Sequence, residues 1–432
     1  MVARETVCLK RLSETRAEER AAGRFLDTDK VTVAGIVESW SERTGAAAQG
    51  RHVLAIQDTT EVKFPTTAAH RRGLGPIGCG TTHGVLVHAM LAVDADSLAC
   101  LGLVGGSVWN RPGVVEKHHK ERPLSERESR RWLQTADTAR EVLAPAAMIT
   151  VVDDREGDLW PKWARLPAES FHLLTRAQVD RPLAGGTGGT LFTAAAAFPL
   201  AETRAIEIRS ERVHRVARLQ MRFGAVEVCR PRHEKDRMLA RTARLCLVEV
   251  RETEPSEGVK PLCWRLLTTH AVANVIEAWR IVGWYQARWT IEQLFRTMKS
   301  QGLGLEDSAV TSAGRLLKLS AAATKAACVT MRLVQERDGA HGLPASDVFS
   351  EPEIDTIETL SPTLEGRVER QKNPHPPRSL AQAAWVIARL GGWHCYGAPP
   401  GPITMRRGLE RFHAMHFGRM LNAKPTLLVG RG

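Results

Sequence analysis

The sequence predicts an α/β fold: a mixed sheet with flanking helices, a β-rich insertion and a helical C-terminal region. Three observations carry this reading. Two short apolar runs of strand length, His52–Gln57 and Met148–Val152, each end in aspartate. Helical-period stretches lie on either side of a block between about 168 and 269 whose apolar and charged residues alternate, as half-buried strands do. No apolar run reaches the roughly 18 residues that a membrane-spanning helix needs.

In chain order, residues 1–50 read as helical, most clearly at Ala21–Asp27 and Val33–Val37. From Asp58 the pattern continues with strands at Val85–Val93 and Leu98–Val104, an amphipathic helix over Leu124–Leu143, and the strand Met148–Val152. Three strands, a helix and a strand ending in aspartate is the order of an RNase H-like core. Residues 51–167 are read as its first part and 168–269 as the insertion, with strands at Ala205–Arg209, Val213–Phe223 and Ala243–Val250. Residues 270–338 return to helix. The Pro-rich linker Asn373-Pro374-His375-Pro376-Pro377 falls within a last helical domain, 339–432.

The chemistry-bearing residues concentrate near position 290. Taken as one helix turning about 100° per residue, Tyr285, Arg288, Glu292 and Lys299 share a stripe, with Arg296 at its edge. An ordinary solvated face with i,i+4 ion pairs is the competing reading. Asp58, in Asp58-Thr59-Thr60, and Asp154, in Asp153-Asp154-Arg155-Glu156-Gly157-Asp158, weigh against it. Carboxylates at the C-terminal ends of strands sit where open α/β sheets place their sites. An aspartate there is commonly a turn or cap residue. Two of them with a helical Glu292 have the oxygen donors to hold a pair of divalent cations about 3.5–4 Å apart, beside phosphate-binding groups.

The spacing Y-x-x-R-x-x-x-E-x-x-x-x-x-x-K at Tyr285, Arg288, Glu292 and Lys299 resembles the signature of bacterial DDE transposases of the insertion-sequence-four kind. Ile56-Gln57-Asp58-Thr59-Thr60 and Asp154-Arg155-Glu156-Gly157-Asp158 are similar to that family's two catalytic-Asp blocks. The likeness spans roughly residues 15 to 420, including Ala388–Trp393 and Pro400–Leu409 near the end. It implies that Asp58, Asp154 and Glu292 are catalytic and bind two Mg²⁺ (or Mn²⁺) per site. It assigns Tyr285, Arg288 and Lys299 to terminal phosphates, with Arg296 and Trp289 as lesser contacts, and has Trp264 stack a flipped base. It further implies cut-and-paste transposition through a hairpin, on terminal inverted repeats and target DNA. The protein would be a homodimer closed by C-terminal helices, in the bacterial cytoplasm at the nucleoid. Asp154 rather than Asp153 aligns with the second block, leaving Asp158 and Glu61 as caps or ion-pair partners. The first 50 residues resemble only a remnant of the family's end-binding domain, so the alternative expectation is a truncated copy that binds DNA or forms inhibitory mixed dimers. An RNase H-like nuclease, the third reading, gives no reason for the Tyr-Arg-Lys surround.

Composition agrees with a polyanionic partner: net charge is +12 over 432 residues and the sequence pI about 9.6. The arginines between Arg204 and Arg244 outnumber their acidic neighbours, which favours a phosphate-binding surface on the insertion. The eight cysteines are scattered without a C-x-x-C pair, which predicts reduced thiols. Gly73-Leu74-Gly75-Pro76-Ile77-Gly78 fits G-x-G-x-x-G, but a strand rather than a helix is expected after it, leaving no helix N-terminus for a pyrophosphate. His83, His88, His118-His119 and His233 have no metal-ligand frame and are read as loop or core histidines.

Overall fold

The computed structural model describes residues 16–64, 73–78, 82–111, 128–185, 189–209, 214–255, 258–259, 261–308, 310 and 312–423. Its strands are β1 (His52–Phe64), β2 (Pro76–Ile77), β3 (Thr82–Asp94), β4 (Cys100–Trp109), β5 (Met148–Asp153), β6 (Phe171–Arg176), β7 (Glu202–Arg209), β8 (His214–Cys229), β9 (Thr242–Glu252) and β10 (Cys263–Thr268). All ten join one sheet in the order β2-β3-β1-β5-β6-β10-β9-β8-β7, with β4 paired to β3. The pairs β1·β5 and β5·β6 are parallel and the rest antiparallel, so the sheet is mixed.

The expected strands are present, and most run longer than the apolar pattern alone marks. One placement differs from the sequence reading. β6 falls after residue 168, yet it pairs in parallel with β5, in the middle of the sheet. The arginine-rich strands then continue that sheet through β10. A boundary read from charge alternation marks where the strands become half-exposed, and the hydrogen-bonded ladder runs straight across it.

Helices cover both faces. The main ones are α1 (Arg16–Asp27), α2 (Val33–Glu38), α3 (Arg130–Val142), α4 (Trp160–Arg165), α5 (Val275–Gln286), α6 (Trp289–Arg296), α7 (Ala313–Glu336), α8 (Glu351–Leu360), α9 (Leu380–Leu390) and α10 (Pro402–Ala423). Successive strand residues point to opposite faces. Leu54, Ile56 and Val152 therefore join one core with Ile281, Ile291 and Leu294 of α5 and α6. Val53, Ala55 and Val151 join the other, with Ala136 of α3 and Trp160 and Trp163 of α4. Side-chain caps start the helices where the sequence supplies them: Asn274 accepts from Glu277 N, and Ser312 from Arg315 N. Helix α9 is buried on nearly all sides, matching its almost wholly apolar sequence.

Pro76–Ile77 pairs with β3, which follows directly as a strand. Gly75 is there for close approach: a Cβ would stand 1.6 Å from the Arg111 carbonyl oxygen. His88 is a core histidine, bonded to Thr59 and Gln57, while His118-His119 lie outside the described residues. The described cysteines are free thiols. Among the described residues no helix is long and apolar enough to cross a membrane.

Candidate active site

The pleat and the register bring two of the three candidate carboxylates together. Ile56 of β1 pairs with Val152 of β5 in parallel register. Asp58 and Asp154 each lie two residues further on, on the same face by alternation; Asp154 follows the end of β5 as expected, whereas Asp58 lies inside β1, which continues to Phe64 along β3. Asp153 has the opposite parity. It points with Val151 into the second core and is fully buried, bonded to Lys162, Gln57 and Thr175. Asp154 instead caps the short turn Arg155–Gly157, accepting from Glu156 N at 2.8 Å. Gly157 is required in that turn, because a Cβ there would meet the Asp153 side chain at 2.4 Å.

Glu292 reaches the pair through Arg288. One guanidinium nitrogen donates to Asp58 Oδ2 at 2.8 Å and another to Glu292 Oε1 at 3.0 Å. Asp58 and Arg288 each keep 16% of their side-chain surface, whereas Glu292 keeps 41%. Arg288 is thus held between two carboxylates and is not presented as a free phosphate ligand.

The segment from Trp284 to Lys299 is not one regular helix. It tightens after α5, where Arg288, Thr290 and Ile291 each bond the carbonyl three residues back. It then widens into a π-helical turn over Thr297–Gln301. The wide turn carries Lys299 out of the expected stripe: its charged neighbours are Glu306, Lys63 and Glu61, and burial lowers its pKa. Arg296 lines a small cavity with Met331, Val334 and Pro402. Tyr285 is buried and hydrogen-bonded to Arg176; its phenol pKa is raised, chiefly by burial. Trp264 meets Tyr285 edge-on, ring centroids 5.3 Å apart, and Trp289 is 54% exposed. Glu61 accepts from Gly78 N, and Asp158 is a buried partner of Arg181.

Two cations were missed in the sequence. Arg131, from the first turn of α3, donates to Thr59 Oγ1 at 3.1 Å and sits 3.5 Å from Glu156, with its guanidinium over the Trp109 ring. Arg176 ends β6, one residue beyond the Asp153–Thr175 pair, and so lies level with Asp154. A basic residue closing the third parallel strand was a readable signal for Arg176; Arg131 left none. In the insertion, Arg215 is tied to Glu252 and Arg230 to backbone carbonyls, so only part of the arginine excess is available to a partner.

Electrostatics set the character of the group. Burial pushes the Asp58 carboxyl up to about 7 from its ordinary 3.8; Asp154 and Glu156 push the same way, while Arg288 and the Thr59 N–H oppose them. The folded protein holds this proton more tightly than the unfolded chain, so stability from this position is lost as pH rises from about 4 to 7. A ¹³C NMR titration of the carboxylates should show one aspartate with a midpoint near 7. Asp154→Asn should lower that midpoint and Arg288→Ala should raise it. A midpoint in the ordinary aspartate range would overturn this account.

No family model matches the chain. Among the described residues, no three His, Cys, Asp or Glu side chains are gathered at metal-ligand spacing; the Arg288 guanidinium stands between Asp58 and Glu292.

Proposed function

We propose that the chain is a DDE transposase of the insertion-sequence-four kind, with an RNase H-like core, that cuts and joins DNA in cut-and-paste transposition. One observation carries the reading. Asp58, within β1 just past its parallel ladder with β5, and Asp154, just past the end of β5, come close enough for Asp154 to raise the Asp58 pKa, and Arg288 links Asp58 to Glu292. Two members of the signature, Arg288 and Glu292, thus meet an aspartate from a separate element.

The donor set fits Mg²⁺ or Mn²⁺ in kind, since all three residues offer carboxylate oxygens. Burial first, and then the charge of Asp154, raise the Asp58 pKa, and a bound divalent cation would offset both. Asp58, Asp154 and Glu292 would hold two such ions. When bound, they supply the positive charge that polarises a phosphodiester and acidifies an attacking water. Arg288 screens Asp58 from Glu292 and would turn to a terminal phosphate once cations take over the two carboxylates. Arg131 holds the Thr59 hydroxyl next to Asp58, and Arg176 holds the Tyr285 phenol. Trp264, braced on Tyr285, offers a part-exposed ring to an extruded base.

The partners are the transposon's terminal repeats and target DNA, with a hairpin on the pathway, in a bacterial cytoplasm. Phe417 and Leu421, 64% and 57% exposed one turn apart on α10, are apolar enough to close the homodimer.

Incubation with the DNA flanking the protein's own gene tests the reading. Cleaved ends are expected with Mg²⁺ and none without it. Arg288→Ala should weaken end binding and make its salt dependence shallower by about one phosphate's worth. Intact ends under both conditions would refute the activity, and an unchanged slope would remove Arg288 from the phosphate contacts.

A further inference from the structure

One buried titratable group lies directly behind the carboxylates. His88 of β3 has no solvent contact and stands opposite Thr59 of β1 in the antiparallel register. Its ring packs edge-on against Trp132, centroids 4.9 Å apart. Gln57 and Thr59 share the face of β1 opposite Asp58, so contacts made there brace the strand from behind.

The hydrogen bonds around His88 run in one direction. The Trp132 carbonyl can only accept, and it takes a proton from Gln57 Nε2 at 3.1 Å. The same nitrogen gives its other proton to Asp153 Oδ1 at 2.8 Å. The Gln57 amide therefore turns its oxygen to His88 Nε2, 3.1 Å away, and Nε2 carries the ring proton. Burial, with Arg131 and Lys162 adding to it, holds the imidazole pKa well below its ordinary 6.5, so Nδ1 is bare. A bare Nδ1 can only accept, and the Thr59 hydroxyl, 2.9 Å away, is its donor. That spends the hydroxyl's single proton and leaves its lone pairs for Arg131 Nε, which donates from 3.1 Å.

Thr59 is also the residue that orients Asp58. Its backbone N–H donates to Asp58 Oδ1 at 2.7 Å, while Arg288 holds Oδ2 at 2.8 Å. Each carboxylate oxygen thus has one protein donor and lone pairs over for a cation. The aim of the carboxylate depends on the peptide between residues 58 and 59. The side chain next to that peptide is held by His88 on one side and Arg131 on the other. Removing the groups behind a metal-ligating side chain typically costs about 10–100-fold in metal affinity.

We propose that His88 is a positioning residue for Asp58: it accepts the Thr59 hydroxyl, fixes the 58–59 peptide and so aims the carboxylate at a divalent cation. This role rests on the cation-binding reading given above.

The test uses the full-length chain with Mn²⁺ as the probe, free ion being counted by electron paramagnetic resonance. An asparagine oxygen falls where Nδ1 stands, and a glutamine amide falls where Nε2 stands. His88→Asn should therefore keep the acceptor for Thr59 and hold Mn²⁺ within a few-fold of wild type, whereas His88→Gln should lose about tenfold. A ring that merely filled the core would rank the two the other way, since glutamine replaces more of its volume. Thr59→Val should also lose about tenfold, and Thr59→Ser should recover most of that. Should a His88 variant fail to fold, the Thr59 pair decides alone. ¹⁵N spectra of histidine-labelled protein at pH 7 should place the His88 proton on Nε2, and Thr59→Val should shift the Nδ1 signal. A proton on Nδ1, or His88→Gln binding Mn²⁺ better than His88→Asn, overturns the proposal. Cleavage of DNA ends by the wild-type chain is scored separately. Wild-type Mn²⁺ binding that Thr59→Val and His88→Gln share sinks only the role of His88. The expected ranking without cleavage keeps that role and sinks the transposase reading; a wild type that binds no Mn²⁺ sinks both.

Discussion

Glu292→Gln is expected to abolish Mg²⁺-dependent cleavage of a labelled DNA end, with a loss on the order of 10³-fold, or about 4 kcal/mol of transition-state stabilisation. The amide keeps the volume and an oxygen acceptor for Arg288, so the local fold should survive. What disappears is the anionic charge that a metal donor and the Arg288 bridge both use. The loss should therefore fall on kcat, with DNA retention in a gel almost unchanged. Cleavage at the wild-type rate would mean that Glu292 is only the outer half of an i,i+4 ion pair on a half-exposed helix face.

The second large effect belongs to stability. Lys162→Met should destabilise the protein by about 3–5 kcal/mol, because Asp153 would be left as an uncompensated buried charge. Both partners are essentially without solvent contact, at 1% and 0% side-chain exposure. Burial already raises the Asp153 pKa against the pull of Lys162 and the hydrogen bonds from Gln57 and Thr175. Adding Asp153→Asn to Lys162→Met should recover most of the loss, since the neutral amide keeps an oxygen to accept from Gln57 and turns its NH2 to the Thr175 hydroxyl, which can accept. Urea unfolding of the three variants measures this. A single Lys162→Met variant within about 1 kcal/mol of wild type would show the pair to be energetically idle. The damage should also reach the candidate site, because Gln57 connects Asp153 to His88 and His88 connects to Thr59 beside Asp58.

Much of this was legible in the sequence, for identifiable reasons. The strands carrying Asp58 and Asp154 are short apolar runs, and period-two alternation alone separates Asp154 from Asp153: Val152 and Asp154 share a face, and Asp153 shares the other with Val151. Helical spacing placed Arg288 and Glu292 correctly because they are one turn apart, too close for the irregular backbone to separate. Lys299 was misplaced by the same logic. A π-turn between Thr297 and Gln301 has no marker in residue types, and it rotates everything beyond it. Arg131 was not legible as a site residue because it neighbours the carboxylates only through helix docking, and the strand-end signal of Arg176 was passed over because the strand that carries it was not recognised. The position of β6 was hidden because both faces of a central strand are buried, whereas the boundary at 168 was sought in alternation.

The order of strands also dictates the order in which the molecule can come into being. β6 gains its second neighbour only when β10 has been made, and Asp58 meets Arg288 across 230 residues of chain. A ribosome thus releases the first aspartate long before the arginine that neutralises it. Such non-local closure carries a high contact order and slow assembly. Until residue 268 emerges, the nascent sheet ends at an open edge on β6, the kind of edge that recruits foreign strands. Yield from cells should therefore respond to translation speed across the arginine-rich strands more than to any change in the finished core.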